Sequence, residues 1–263
     1  MMLLGVRIDD VDRAEMDQRL LSWLNGFEPN TVATPNPEML LLARKDAAFR
    51  ELLNQSDMNV PDGVGLRFAA SALTNERLVN RHTGVDVLTR LAALCAMHGR
   101  RLMLFGGGPR SADAAAGALK NIHPNLDVVA MDPGPVDENG RSSLFFNISA
   151  LKPDVLAVAL GHGKQERFIH QAIRHVPSIR IAIGVGGAFE MLGGHLRRSP
   201  AWMRRTGLEW AWRLLLQPKR ARRIGNATIV FPAVVVWSTL KSRTFLRACR
   251  NVFPEILRQL RGL

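Results

Sequence analysis

Two patterns of apolar and polar positions alternate along the chain, and their order predicts the fold. The runs "RLMLF" (101–105), "LDVVAM" (126–131), "PDVLAVAL" (153–160) and "IRIAIGV" (179–185) are short and nearly all apolar. Such runs mark strands buried on both faces. "LLGVRI" (3–8), "NTVATPN" (30–36) and "DMNV" (57–60) read as further short strands. Between them apolar residues recur at helical spacing. Leu20, Leu21 and Leu24 lie on one helix stopped by Gly26, Pro37 opens another over 37–55, and Gly99 closes one over 86–99. "QERFIHQAIRHV" (165–176) is amphipathic, and Ser111 is placed to N-cap a helix after "GGGPR". The alternation predicts an α/β fold, a mostly parallel Rossmann-like sheet covered by helices.

The pattern changes after residue 200. "ATIVFPAVVVWSTL" (227–240) is the longest apolar stretch, but it falls short of the roughly 18–20 residues of a membrane span and contains Pro232. No spanning helix is therefore expected. In "FLRACRNVFPEILRQLRGL" (245–263), Phe245, Leu246, Cys249, Val252, Phe253, Leu257 and Leu260 form a helical stripe with Arg247, Arg250, Arg258 and Arg261 between them. Pro254 is expected to kink or divide it. This divides the chain into an α/β core, 1–200, and a basic amphipathic appendage, 201–263.

Charge sharpens that division. Residues 204–263 hold 13 Lys/Arg against Glu209 and Glu255, which places +11 of the chain's net +12 in the appendage. Such a segment calls for an anionic partner: lipid headgroups, nucleic acid or a substrate phosphate. The apolar stretch favours an anionic membrane surface reached through residues 225–263, and nucleic-acid binding is the rival. An apolar share of 47% with 22% charged residues is ordinary for a globular protein. Cys95 and Cys249 both lie in apolar helical patterns and read as buried free thiols, so a reducing cytoplasm is expected, without a disulfide scaffold or zinc cluster. The start, "MMLLGVRIDD", is too short and too soon charged for a signal peptide.

Candidate chemistry gathers where strands end, the edge at which open α/β sheets bind ligands. "VPDGVGL" sets Asp62 at a turn tip, either as turn chemistry or as a working base. Thr34 and Asn36 in "TPNPE" are helix caps or site residues, and Arg81 in "NRHTGVD" is a surface cation or a phosphate partner. In "GHGKQERF", Glu166 suits a helix N-terminus, whereas Gln165 has no such structural reason. Gly106–Gly108 and Gly186–Gly187 would let backbone N–H groups approach a phosphate. "GGGPRS" departs from G-x-G-x-x-G because Ser111 takes the last position, which weakens a Rossmann oxidoreductase reading. H-E-x-x-H, a P-loop and G-x-S-x-G are all missing, and Asp10 and Asp12 read as caps, so neither a metal nor a cofactor is expected.

Taken in order, "TPNPEM", "VPDGVGL", "RHTGVD", "LFGGGP", "ALGHGKQE", "GVGGAFE" and "LRRSPAWMRRTGLEWAWRLLLQPKRARR" resemble the WecG/TagA/CpsF glycosyltransferases, glycosyltransferase family 26, from about Leu4 to Arg223. The resemblance implies metal-independent, inverting transfer of a sugar, N-acetylmannosamine or glucose among relatives, from a UDP-sugar donor to a polyprenyl-diphosphate-linked saccharide. The setting it implies is the cytoplasmic face of a bacterial inner membrane, in cell-surface or exopolysaccharide synthesis. It makes Asp62 the general base and carries substrate binding to Thr34, Asn36, Arg81 and Gln165. It carries contact with the nucleotide diphosphate to Arg213, Arg220 and Arg223. Assembly into a homo-oligomer stays open. The family usually has Pro at Gly163 and Asp at Glu190, so a looser loop around Gln165 and altered sugar selectivity are expected.

Overall fold

The computed structural model describes residues 1–132, 141–196 and 199–261. Strands β1 (Met2–Leu3) and β2 (Val6–Arg7) form a small antiparallel hairpin. Strands β3 (Asn30–Ala33), β4 (Met58–Asn59), β5 (Arg101–Gly106), β6 (Asp127–Met131), β7 (Val155–Ala159) and β8 (Ile181–Gly184) form one parallel sheet in the order β4-β3-β8-β7-β5-β6. The continuous apolar runs have the physical cause expected of them. Leu102, Leu104, Val155, Ala157, Ile181 and Ile183 belong to the core on one face. Their neighbours Met103, Phe105, Leu156, Val158 and Ala182 belong to the core on the other. Both sets are buried, so no polar face remains.

Helices α1 (Arg13–Asn25), α2 (Pro37–Lys45), α3 (Ala47–Gln55), α4 (Val64–Leu73) and α5 (Gly84–His98) precede β5. They are followed by α6 (Ser111–Ile122), α7 (Arg141–Leu151), α8 (Lys164–His175) and α9 (Ala188–Leu192). Leu88, Leu91, Ala92 and Cys95 of α5 and Ala112, Ala115 and Leu119 of α6 cover the first face. Phe145 and Ile148 of α7 and Phe168, Ile169 and Ala172 of α8 cover the second. The rest is helical: α10 (Ala201–Thr206), α11 (Glu209–Leu216), α12 (Ala221–Gly225), α13 (Phe231–Lys241) and α14 (Phe245–Arg261).

Several expectations are corrected. "LLGVRI" is a hairpin rather than one strand, because Leu4 and Gly5 take φ of 50° and 85°. The 37–55 segment is two helices, since Asp46 leaves helical geometry and accepts from the Phe49 N–H as the cap of α3. Ser111 is the first residue of α6 rather than its cap, and its hydroxyl donates to the Gly108 carbonyl at 2.7 Å. Cys95 is buried, its thiol pushed up to about 12 by desolvation, but Cys249 is exposed on α14.

The appendage departs furthest. Residues Pro218–Lys241 form a continuous helical run of 24 residues, long and apolar enough to cross a membrane by length and composition. Pro232 does not interrupt it, because proline is tolerated in the first turn of α13, just after the π turn Asn226–Val230. Pro254 likewise sits inside an undivided α14. Two features place this segment on the core. Phe231 and Val235 of α13 join Leu66, Ala69 and Ala70 of α4 in one buried cluster. Across α4, α14 buries Ala248, Glu255 and Gln259, and Gln259 accepts from Arg67. Leu246 (84% exposed), Phe253 (63%), Trp237 (66%) and Ile229 (71%) face outward instead. The inner face of α14 mixes Ala248 and the partly buried Val252 with the polar Glu255 and Gln259, and much of its apolar side is outside. Gly262 and Leu263 lie outside the described residues.

Candidate active site

The loops after β3, β4, β5, β7 and β8 open onto a cleft of about 200 Å³, closed on its far side by α11 and the turn into α12. Thr34, Asn36, Asp62, Gln165, Gly186, Gly187, Arg213, Arg220 and Arg223 all line it. Arg81 does not line it directly. It sits behind, 3.9 Å from the lining residue Glu209.

Asp62 owes its place to the residues around it. Its N–H donates to the Pro35 carbonyl at 2.8 Å, and the Pro61 carbonyl accepts from the His82 N–H at 3.1 Å. Gly63 then takes φ of 96°, open to glycine at little cost, and turns the chain into α4. No hydrogen bond to the Asp62 carboxylate is found among the described residues, so the side chain does not serve its own turn. It keeps partial exposure to the cleft while lying deep among protein atoms. Desolvation pushes its pKa up to about 6; Arg213 and Arg81 pull it down, and Glu209 and Asp86 push it up. A carboxyl poised near neutrality suits proton transfer.

Asn36 has a structural task, since Oδ1 accepts from the Met39 N–H at 3.0 Å and caps α2. Thr34 is buried, and its hydroxyl donates to the Gly184 carbonyl at 3.4 Å. Gln165 gains the structural reason that the sequence did not show. Its Oε1 accepts from the Gly186 N–H at 3.1 Å, and its Nε2 donates to Glu166 Oε1 at 2.8 Å. Glu166 Oε2 accepts from the Gly163 N–H at 2.6 Å, and burial raises the Glu166 pKa. The loops after β7 and β8 are thereby tied together. Gly163 has φ of 84°, a conformation closed to proline, and its N–H is in use. That bond restrains the loop that leads into Gln165.

Arg213 and Arg223 are held by carboxylates. Arg213 reaches Glu209 at 3.4 Å, and Arg223 donates to both oxygens of Glu38 at 3.2 and 3.0 Å. Arg223 also donates to His162 Nδ1 at 3.0 Å. Arg220 lies beside Gly187; burial, then Arg223 and Arg213, lower its pKa, the mark of crowded positive charge. Glu190 Oε1 accepts from the Gly108 N–H at 3.3 Å, while its buried Oε2 has no hydrogen-bond partner among the described residues. The longer acid thus reaches the loop after β5. Among the described residues, no three His, Cys, Asp or Glu side chains cluster closely enough to hold a metal ion.

Three contributors escaped the sequence reading: Glu38, His162 and Glu209. Glu209 left one trace, its i,i+4 spacing to Arg213. Glu38 and Arg223 are 185 positions apart, beyond any local signal. Arg197 and Arg198, in the last of the sequence blocks, lie outside the described residues.

Comparison with known proteins places this arrangement. The family model described as "Glycosyl transferase WecG/TagA/CpsF family" matches residues 1–245. An N-acetylglucosaminyldiphosphoundecaprenol N-acetyl-beta-D-mannosaminyltransferase of Bacillus subtilis (strain 168) is 32% identical over 217 residues, 82% of this chain and 80% of that protein. A protein of the same name from Bacillus spizizenii (strain ATCC 23059 / NRRL B-14472 / W23) is 31% identical over 193 residues, 73% of this chain and 74% of its own length.

Proposed function

The chain belongs to the WecG/TagA/CpsF glycosyltransferase family, and on that premise we propose an inverting transfer of a hexosyl unit from a UDP-sugar to a polyprenyl-diphosphate-linked saccharide. One observation carries the reading: a buried carboxyl with a raised pKa and three arginines face one cleft at the strand ends. Family membership displaces the oxidoreductase reading. The names of the relatives make N-acetylmannosamine on N-acetylglucosaminyl-diphosphoundecaprenol the first pair to test, with glucose second.

In this reading the acceptor hydroxyl attacks the anomeric carbon from the face opposite UDP, and Asp62 takes its proton as the bond forms. Arg220 and Arg223, with the N–H groups at Gly186 and Gly187, meet the charge that develops on the departing diphosphate. Thr34, Asn36 and Gln165 frame the sugar side. Arg81 and Arg213, joined through Glu209, keep Asp62 ionisable despite its burial. With arginines supplying the positive charge, the transfer is expected to keep full rate in EDTA.

A panel of UDP-sugars against short polyprenyl-diphosphate saccharides tests this, with the anomeric configuration of the product read by NMR. Absence of transfer from every UDP-sugar would sink it. The same assay gives a pH prediction. The base works ionised, so kcat/KM should fall as pH drops through about 6, where Asp62 protonates. A flat profile from pH 8 to 5 would remove Asp62 from that role.

The acceptor's lipid carrier brings the membrane into the reading. We propose that the protein sits peripherally on the cytoplasmic face of the bacterial inner membrane, with the outward apolar residues of α13 and α14 on the lipid and Arg243, Arg247 and Arg250 at anionic headgroups. One side of α13 is committed to α4, which favours lying on the surface over crossing it. Full-length protein is expected to float with anionic vesicles, and Trp237→Ser with Leu246→Ser and Phe253→Ser to stay at the bottom of the gradient. Equal flotation of both would remove this surface. A gel shift with a steep salt slope and no flotation would favour nucleic acid instead.

A further inference from the structure

His162 stands between Gly161 and Gly163, both at positive φ, so the loop after β7 presents its imidazole to the cleft. Nδ1 accepts from Arg223, which fixes a neutral ring with its proton on Nε2. The charges facing it are Glu38 from α2, Arg220 from the turn into α12 and Arg223 from α12 itself. Arg223 therefore has two anchors, the Glu38 carboxylate and the His162 lone pair.

A diphosphate entering beside Arg220 and Gly187 competes for the Arg223 donors, because phosphate oxygens are strong acceptors for a guanidinium. If Arg223 turns to the phosphate, Nδ1 loses its donor and faces an anion. Resting on the nucleotide reading above, we propose that His162 is a proton-taking partner of the donor's diphosphate: it holds Arg223 while the site is empty, and on nucleotide binding it takes a proton from solvent at Nδ1 and adds a cation to the leaving group. The proton returns to solvent when the nucleoside diphosphate departs, so the cycle balances. The surroundings of His162 support this exchange. Desolvation first, then Arg223 and Arg220, hold the imidazole below its ordinary pKa, against the opposing pull of Glu38. It is therefore neutral near pH 7, with a proton still to gain.

The test is calorimetry of UDP binding to the full chain at pH 7, in two buffers of different ionisation enthalpy. Wild type is expected to take up roughly half a proton or more per UDP. His162→Asn, whose amide oxygen can still accept from Arg223, should bind UDP with that uptake lost. Asp62→Asn and Glu38→Gln should each retain most of it, which separates His162 from the cleft carboxyl with the raised pKa and from the one that shares Arg223. Equal uptake in wild type and His162→Asn, or none in wild type, would overturn the proposal. If His162→Asn binds UDP too weakly to measure, the imidazole signal missing from its NMR spectrum identifies His162 in wild type. That signal should titrate at higher pH with saturating UDP, and an unmoved pKa overturns the proposal. Absence of any UDP binding to wild type would instead overturn the nucleotide reading itself, and this proposal with it.

Discussion

Asp62→Asn is expected to lower turnover on the order of 10²-fold or more while UDP still binds, because the substitution removes the proton acceptor and leaves the shape of the site. The structure makes this a clean test. The fold uses Asp62 through its backbone, in the bond from its N–H to the Pro35 carbonyl, and asparagine keeps that bond. Among the described residues the carboxylate holds no hydrogen bond that the amide would lose. Its raised pKa shows that ionisation is disfavoured where it lies, so a neutral amide should leave the melting temperature unchanged or slightly higher. Activity and stability are thus expected to part. Turnover within a factor of about three of wild type would rule out the base role. A large fall in melting temperature would show that the carboxylate serves the fold.

Arg220→Ala combined with Arg223→Ala, in the full chain, is expected to lower kcat/KM on the order of 10²–10³-fold, the usual scale for removing donors aimed at a developing charge. Full length matters here. A chain ending at Ser199 would be expected to isolate a folded core if the appendage were only a tail, yet Phe231 and Val235 fill a cluster with Leu66, Ala69 and Ala70 of α4. Truncation would expose that cluster next to the Asp62 turn and confound loss of arginines with loss of packing. The double substitution leaves the packing in place. Its side effects fall on Glu38, which loses the bidentate partner seen at 3.2 and 3.0 Å, and on His162, which loses the donor to Nδ1. Adding Glu38→Gln should not restore activity. Recovery by that third change would mean that the arginines only neutralise Glu38, and near-wild-type kcat/KM in the double variant would remove them from the diphosphate.

Much of the sheet was legible because burial on both faces writes itself locally: "LAVA" and "LMLF" admit few other readings. Where the reading failed, one backbone choice decided the outcome. Leu4 and Gly5 fold a run into a hairpin, and Asp46 breaks one helix into two. Cys249 and Cys95 share a sequence pattern but not a fate, since which side of α14 meets α4 is a matter of packing. The apolar side of α14 would ordinarily be assigned to the core. Much of it is outside, while Glu255 finds Arg77 and Arg258, and Gln259 finds Arg67, on the inner side beside Ala248 and Val252.

By itself the sequence determined the parallel α/β class, the strand-end glycines and the turn that carries Asp62, since each depends on a few neighbouring residues. Its ordered blocks also pointed to the family. Only the tertiary structure decided what surrounds those elements: Asp62 raised by burial, Gln165 tying the loops after β7 and β8, and Arg223 shared between Glu38 and His162. The reason is range. Backbone preference and periodicity act over a few residues, whereas desolvation and ion pairing depend on which distant segments the sheet brings together, here positions as far apart as 38 and 223.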